Sequence, residues 1–231
     1  MSVEALKPPP TPMRLLDAVP PDTRVVFHNV TWDAYQNVVA ALGERENCRV
    51  AFDGEDIEVM TLGPFHERQR SRVDWFIMIV VEELKIRSEP MGSTTWRRKG
   101  LKRAIESDLC YYFDPVKLVA AAAAADSDDV DDFPNPDLAV EVDVSPPKID
   151  RSGIYVALEV PEFWRARQKS VSIEQLGPDG DYIPVSRSRF LPARPEDVTR
   201  WVFTEDSADR LAWAERLREW ARSELFPRLN A

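Results

Sequence analysis

The stretch from Phe133 to Arg151, FPNPDLAVEVDVSPPKIDR, constrains the chain most. In it Leu138, Val140, Val142 and Val144 alternate with Asp137, Ala139, Glu141 and Asp143. A period of two places the two sets on opposite faces of a β-strand. The apolar face needs a core. The acidic face carries a cost, because ionised carboxylates are expensive to desolvate unless paired or bound to a cation, and three on one face repel each other. Two arrangements remove that cost. Either the acidic face is wet, as on many antiparallel strands, or it holds a divalent metal such as Mg²⁺, for which carboxylate oxygens are preferred ligands.

Acids recur in two further elements. AIESDLCYYF (104–113), read as one strand, places Glu106 and Asp108 on one face and Ile105, Ser107, Leu109 and Tyr111 on the other. GPFHERQR opens a long helix with His66 and Glu67. An acid in a first turn is also what the helix dipole favours, so Glu67 has a structural reading beside a chemical one. His66 reads as a turn residue capping that helix; as a metal ligand or general base it would have to approach Glu141.

Around these segments the chain reads as a mixed α/β domain. Residues 1–24, with KPPPTP and AVPPD, form a Pro-rich leader expected to be extended and mobile. Thr31 is an N-cap for a helix that stops near Gly43. Strands over 48–53 and 56–61 flank the hairpin turn Asp53-Gly54. The long helix follows Gly63-Pro64, 115–124 is partly helical, a short helix spans 150–159, and a strand begins near 162. A hairpin around GPDG precedes an amphipathic C-terminal helix on which Trp213, Leu217 and Trp220 share one side, suited to packing or to a dimer face. The expected units are the leader, a domain over 25–192 and a helical extension over 193–231.

Forty acids against thirty bases give a net charge of −10, which excludes whole-surface attraction to nucleic acid and leaves only local basic patches. WRRKGLKR supplies one, with Arg97, Arg98, Lys99, Lys102 and Arg103 beside Trp96, which either stacks on a base or packs in the core. HERQRSR adds Arg68, Arg70 and Arg72. DSDDVDDF (126–133) reads as a solvated acidic loop. Cys48 and Cys110 are too few for a metal knuckle, and no secretory signal is visible, so a cytoplasmic protein with reduced thiols is expected. The longest apolar run, WFIMIVVEEL, falls short of the roughly 20 residues of a membrane span.

GEDIEVMTLGPFHE, ESDLCYYF and PDLAVEVDVSPPKIDRSGIYVALEVPEFW, taken in order over residues 25–190, resemble the Uma2 family (DUF820), a branch of the PD-(D/E)XK nuclease superfamily. The resemblance implies an α/β, restriction-endonuclease-like core with a central mixed sheet flanked by helices. It also implies an endonuclease that hydrolyses phosphodiester bonds in DNA or another nucleic acid with Mg²⁺ or Mn²⁺. On that pattern Asp108 is the Asp of the PD motif, Glu141 the acid of (D/E)XK, and Glu67 the acid of the preceding helix, with Asp137 also matched. The superfamily lysine is missing. Two residues after Glu141 stands Asp143, and four residues before Tyr155, where Uma2-like proteins supply the lysine, stands Arg151; the nearest lysine is Lys148. Arginine holds a phosphate well but, with a pKa above about 12, cannot act as a general base. Two readings remain: an endonuclease using Glu67, Asp108, Glu141 and Arg151 or Lys148, or a non-catalytic binding or assembly module on the same fold.

Overall fold

The computed structural model describes residues 19–43, 48–167 and 169–230. Most of the expected leader, residues 1–18, lies outside the described residues. Its last residue, Arg24, already belongs to a strand, β1 (Arg24–Phe27).

Local signals set the first half of the fold. Thr31 Oγ1 accepts the Ala34 N–H at 3.3 Å and caps α1 (Trp32–Leu42), which ends at Gly43 with φ 61°. β2 (Cys48–Phe52) and β3 (Ile57–Thr61) pair antiparallel about the Asp53-Gly54 turn. Asp53 Oδ1 accepts the Glu55 and Asp56 N–H groups there, and Gly54 has φ 102°. That φ is what the position needs glycine for; the nearest atom a Cβ would meet, Arg103 Nη1, is the movable end of a side chain. Pro64 at the first position starts α2 (Pro64–Leu84), which buries one side from His66 to Leu84.

The remaining elements are β4 (Glu89–Gly92), β5 (Thr95–Arg98), β6 (Arg103–Glu106), β7 (Leu109–Tyr112), α3 (Pro115–Ala123), β8 (Leu138–Asp143), α4 (Arg151–Ala157), β9 (Glu162–Arg167), β10 (Ser170–Leu176), β11 (Tyr182–Pro184), α5 (Pro195–Thr199) and α6 (Arg210–Trp220). They form two sheets. An antiparallel sheet has the order β1-β3-β2-β6-β5, and a mixed sheet has the order β11-β10-β9-β8-β7-β4. In the mixed sheet β8 and β9 run parallel, from Leu138↔Glu162 to Asp143↔Arg167, and α4 makes the crossover between them.

The segment 104–113, expected as one strand, is two. It leaves the first sheet after Glu106 and joins the second at Leu109. At the break the Asp108 carboxylate accepts the Val142 N–H of β8 at 2.7 Å, a tertiary bond that draws the chain out of one ladder and into the other.

β8 is buried on both faces. Leu138, Val140 and Val142 pack with Val73, Phe76 and Ile77 of α2, while Ala139 faces the core built by Ile154, Tyr155 and Leu158 around α4. The wet-face reading of its acids is therefore excluded. Trp213 and Leu217 of α6 are buried in the α2 core, with Trp220 packed against it, 6.3 Å from the Phe76 ring. That stripe turns inward and offers no dimer face. Among the described residues no helix is long and apolar enough to cross a membrane.

Candidate active site

Glu141, in the middle of β8, is only 1% exposed. Arg151, the first residue of α4, donates from Nη2 to Glu141 Oε2 at 2.6 Å, and the Tyr155 hydroxyl, one turn later, donates to Oε1. Arg151 Nη1 also reaches Glu58 Oε1 at 3.3 Å. Glu58, on β3, further accepts Arg24 Nη1 at 2.5 Å and the Lys148 backbone N–H at 2.6 Å. Arg24 Nη2 closes the chain of charges on Asp143 Oδ1 at 2.6 Å. Three carboxylates and two guanidinium groups are thus buried together, one negative charge in excess. Burial pushes the Glu141 carboxyl up to about 7, against the pull of Arg151 and with the help of the Asp108 and Asp143 charges. Lys148 Nζ meets the Arg24 carbonyl at 2.9 Å, so its ammonium serves a backbone oxygen.

Asp108 enters from the break between the sheets. Its Oδ2 accepts the Val142 N–H at 2.7 Å and faces His66 Nε2 at 3.2 Å. Its Oδ1 is buried and accepts no hydrogen bond among the described residues; Arg49 Nε stands 3.8 Å away. His66, fully buried on α2, sets its other nitrogen 3.2 Å from Glu67 Oε1, and Glu67 Oε2 takes Arg70 Nε at 3.0 Å. An imidazole between two carboxylates donates to both only as imidazolium. Burial opposes that charge, but Asp108 and the two hydrogen bonds outweigh it, and the His66 pKa is raised. Burial likewise pushes Asp108 upward, yet the His66 charge and bond, with the Val142 N–H, hold it below the ordinary carboxylate range.

Beside this relay opens a cleft of about 650 Å³ lined by Arg49, Gly63, Glu67, Arg70, Ser93 and Glu106. Glu106 pairs with Arg49 at 2.9 Å. Burial pushes its carboxyl up to about 7, opposed chiefly by Arg49. The mouth of the site thus holds two arginines and two carboxylates.

Asp137 is not brought to this point. Four residues of strand separate it from Glu141 by about 13 Å. Its Oδ2 accepts the Phe113 and Asp114 N–H groups, both at 2.7 Å, and its Oδ1 pairs with Lys117 Nζ at 2.8 Å, pinning β7 to the start of α3. Among the described residues no three His, Cys, Asp or Glu side chains are gathered to hold a metal ion. A four-acid cage of Glu67, Asp108, Asp137 and Glu141 is therefore not assembled. Mg²⁺ usually keeps several waters and takes one or two protein carboxylates, which leaves Asp108 and Glu141 as the set to weigh, with both Glu141 oxygens already bonded to Arg151 and Tyr155. Asp108 Oδ1 is an anionic oxygen without a donor among the described residues, and Glu141 lies close enough for the Asp108 charge to raise its pKa. Arg151 competes for the same negative charge.

The sequence model of the Uma2 family, described as "Putative restriction endonuclease", matches residues 32–204, about three quarters of the chain. The chain belongs to the Uma2 family. A crystal structure of "a putative nuclease belonging to DUF820" from Anabaena variabilis ATCC 29413 is similar over 80% of this chain and 99% of that one, with 13% identity and a TM-score of 0.45. No curated protein matches.

In this Uma2 chain the basic segment 96–103 divides. Trp96 is buried and packs edge-on against Tyr112 at 6.3 Å, which rules out stacking on a base. Arg98 is tied to Asn135 Oδ1, to the Val130 and Phe133 carbonyls and to Asp131. Arg97, Lys99 and Lys102 stay exposed, and Arg103 half-buried, on the β5–β6 hairpin. Sequence reasoning misses Arg24, Arg49 and Glu58, and it places Glu106 beside Asp108 without giving it a role. Glu58 and Glu106 carried the signal that found Glu141, an acid inside an apolar strand; Arg24, at the end of the Pro-rich segment, carried none.

Proposed function

We propose that this Uma2 chain is an endonuclease that hydrolyses phosphodiester bonds in DNA with the help of Mg²⁺ or Mn²⁺. The observation that carries this reading is the buried Oδ1 of Asp108, which has no hydrogen-bond donor among the described residues, close to Glu141 and behind a cleft lined by two arginines and two carboxylates. Restriction-endonuclease-like proteins generally use divalent metals. Asp108 and Glu141 are the residues to hold the ion, which when bound supplies charge neutralisation and an acidified water.

The chain's own residues divide the other tasks. His66, through Glu67 and Arg70, fixes the orientation of Asp108. Arg49 and Arg70 are the cations at the cleft mouth, and a phosphate would reach them in exchange for their present partners Glu106 and Glu67; Glu106 carries a carboxyl able to accept a proton near neutral pH. Arg151 takes the lysine's place on Glu141 as a permanent cation, so it orients and neutralises and does not serve as a base. Lys148 supports Arg24, and Asp137 supports the scaffold. Arg97, Lys99, Lys102 and Arg103 offer positive charge for the DNA backbone. The nuclease unit in this reading is residues 25–192, with 193–231 as a helical extension against α2.

The 2.6 Å Arg151–Glu141 pair favours a second reading, a nuclease-fold binding module in which the guanidinium permanently fills the cation's place. One experiment separates them. Plasmid and linear DNA are incubated with the protein and Mg²⁺ or Mn²⁺, and metal-induced shifts in Tm are read in parallel. The enzyme gives cleavage and a shift, both lost in Asp108→Asn and Glu141→Gln. Neither cleavage nor shift in the native chain establishes the module.

A further inference from the structure

A second concavity lies on α2, on the face next to the cleft. It encloses about 190 Å³ and is lined by Arg68, Ser71, Arg72, Trp75, Ser207 and Arg210, with Trp213 at its base. Arg68, Arg72 and Trp75 fall at i, i+4 and i+7, so one face of the helix presents all three. Arg70, between them in sequence, is neutralised by Glu67. Among the described residues Arg68, Arg72 and Arg210 have no carboxylate within 4 Å, in a chain with ten more acids than bases.

Two of the three guanidinium groups are held in place by neutral partners. Arg72 donates to the Val202 carbonyl at 3.0 Å and to the Ser207 hydroxyl. Arg210 lies over the Trp75 ring at 5.0 Å. Burial and the like charge of Arg68 pull the Arg72 pKa below its ordinary value, as expected of positive charges crowded without a counter-ion. Nearby acids are engaged elsewhere: Glu205 pairs with Arg200, Asp206 Oδ1 accepts the Ala208 N–H, and Asp209 caps α6. Preset guanidinium groups, two hydroxyls and no acid make a receptor for a tetrahedral oxyanion.

Resting on the nuclease reading above, we propose that the Arg68–Arg72–Arg210 pocket is a subsite for a backbone phosphate of the bound DNA. It sits on the first three turns of the helix that also carries His66 and Glu67. Seven residues, about 10 Å of helix, span Arg68 to Trp75, so a strand leaving the cleft along α2 passes over the pocket. Recognition of a phosphate by charge alone carries no sequence preference.

The test uses the full chain and the double variant Arg68→Ala/Arg210→Ala, which removes two exposed side chains and spares Arg72, whose bonds hold the 202–207 segment. DNA affinity is measured by fluorescence anisotropy over a KCl series, with chelator present so that nothing is cut. The variant should bind more weakly on every sequence, and the slope of log K against log [salt] should fall in magnitude by about 0.9 for each lost phosphate contact. In parallel, Tm is read in inorganic phosphate and in chloride at equal ionic strength. Phosphate should raise the Tm of the native chain and not of the variant. An unchanged salt slope in a native chain that binds and cuts DNA overturns the subsite and leaves the nuclease reading standing. A phosphate-dependent Tm without a slope change assigns the pocket to a free phosphate and also overturns the proposal. A native chain that neither binds nor cuts DNA overturns both.

Discussion

Replacing Arg151 by methionine keeps much of the side-chain volume and removes the charge that Glu141 and Glu58 share. Breaking one partner out of a buried pair costs about 3–5 kcal/mol, a large part of a domain's total stability. For a chain of this length that is a fall in Tm of about 6–20 °C. The cost should depend on pH, and its sign follows from Glu141. Burial already holds that carboxyl up to about 7 against an unfolded value near 4.5, so folding stability falls as pH rises between the two. Without Arg151 the folded value climbs further, and each added unit costs about 1.4 kcal/mol at any pH above it. Urea melts of native protein and Arg151→Met at pH 5.5 and pH 8 should therefore show the larger difference at pH 8, by up to about 1.4 kcal/mol, the one unit between the native folded value and the pH of the measurement. Adding Glu141→Gln to the variant should return part of the loss at pH 8 and little at pH 5.5. A penalty equal at both pH values, or one under about 1 kcal/mol at pH 8, would refute the view that Arg151 neutralises a desolvated Glu141.

Other parts of the molecule make separate demands. The raised His66 pKa stabilises the fold fully below about pH 6.5 and less as pH rises through the folded value; His66→Gln should flatten that arm of the pH–stability curve. Asp137→Ala leaves the Phe113 and Asp114 N–H groups without an acceptor and should cost about 2–4 kcal/mol by urea melt, without changing any metal-induced shift in Tm. Trp213→Ala opens the α2 core and should cost about 3–5 kcal/mol in the same assay; a loss below 1 kcal/mol would show the C-terminal helix to be loosely docked.

The parts of the fold that could be read early are those whose cause is local. The Thr31 cap, the Asp53-Gly54 turn and the α2 start at Pro64 each depend on a few neighbouring residues. The division of 104–113 does not. AIESDLCYYF alternates without a break, and its halves go to different sheets through pairings with distant strands and the Asp108–Val142 bond across 34 positions. β4 and β5, with the sequences EPMG and TWRR, lack the apolar period of a strand because they lie at sheet edges. Asp108 and Glu141 stood out as acids in strands that want burial. Glu58 obeys the same rule in IEVMT, but there the period of two also describes an ordinary hairpin with one polar side. What separates the cases is the neighbour across the sheets, which the one-dimensional pattern does not carry.

Glu58 also sets an order of events. Its partner Arg24 lies in the same sheet and is available early, but Arg151 is 93 positions away and joins from α4; Asp143, on β8 of the mixed sheet, which completes Arg24, is 119 positions away from it. Contacts of such separation close late because the loop entropy must be met first. A nascent chain released only as far as β7 has Asp108, His66, Glu67 and the Arg24–Glu58 pair but neither Glu141 nor Arg151, the second guanidinium on Glu58. The cluster around Glu58 and Glu141 is thus complete only once β8 and α4 have docked against the first sheet.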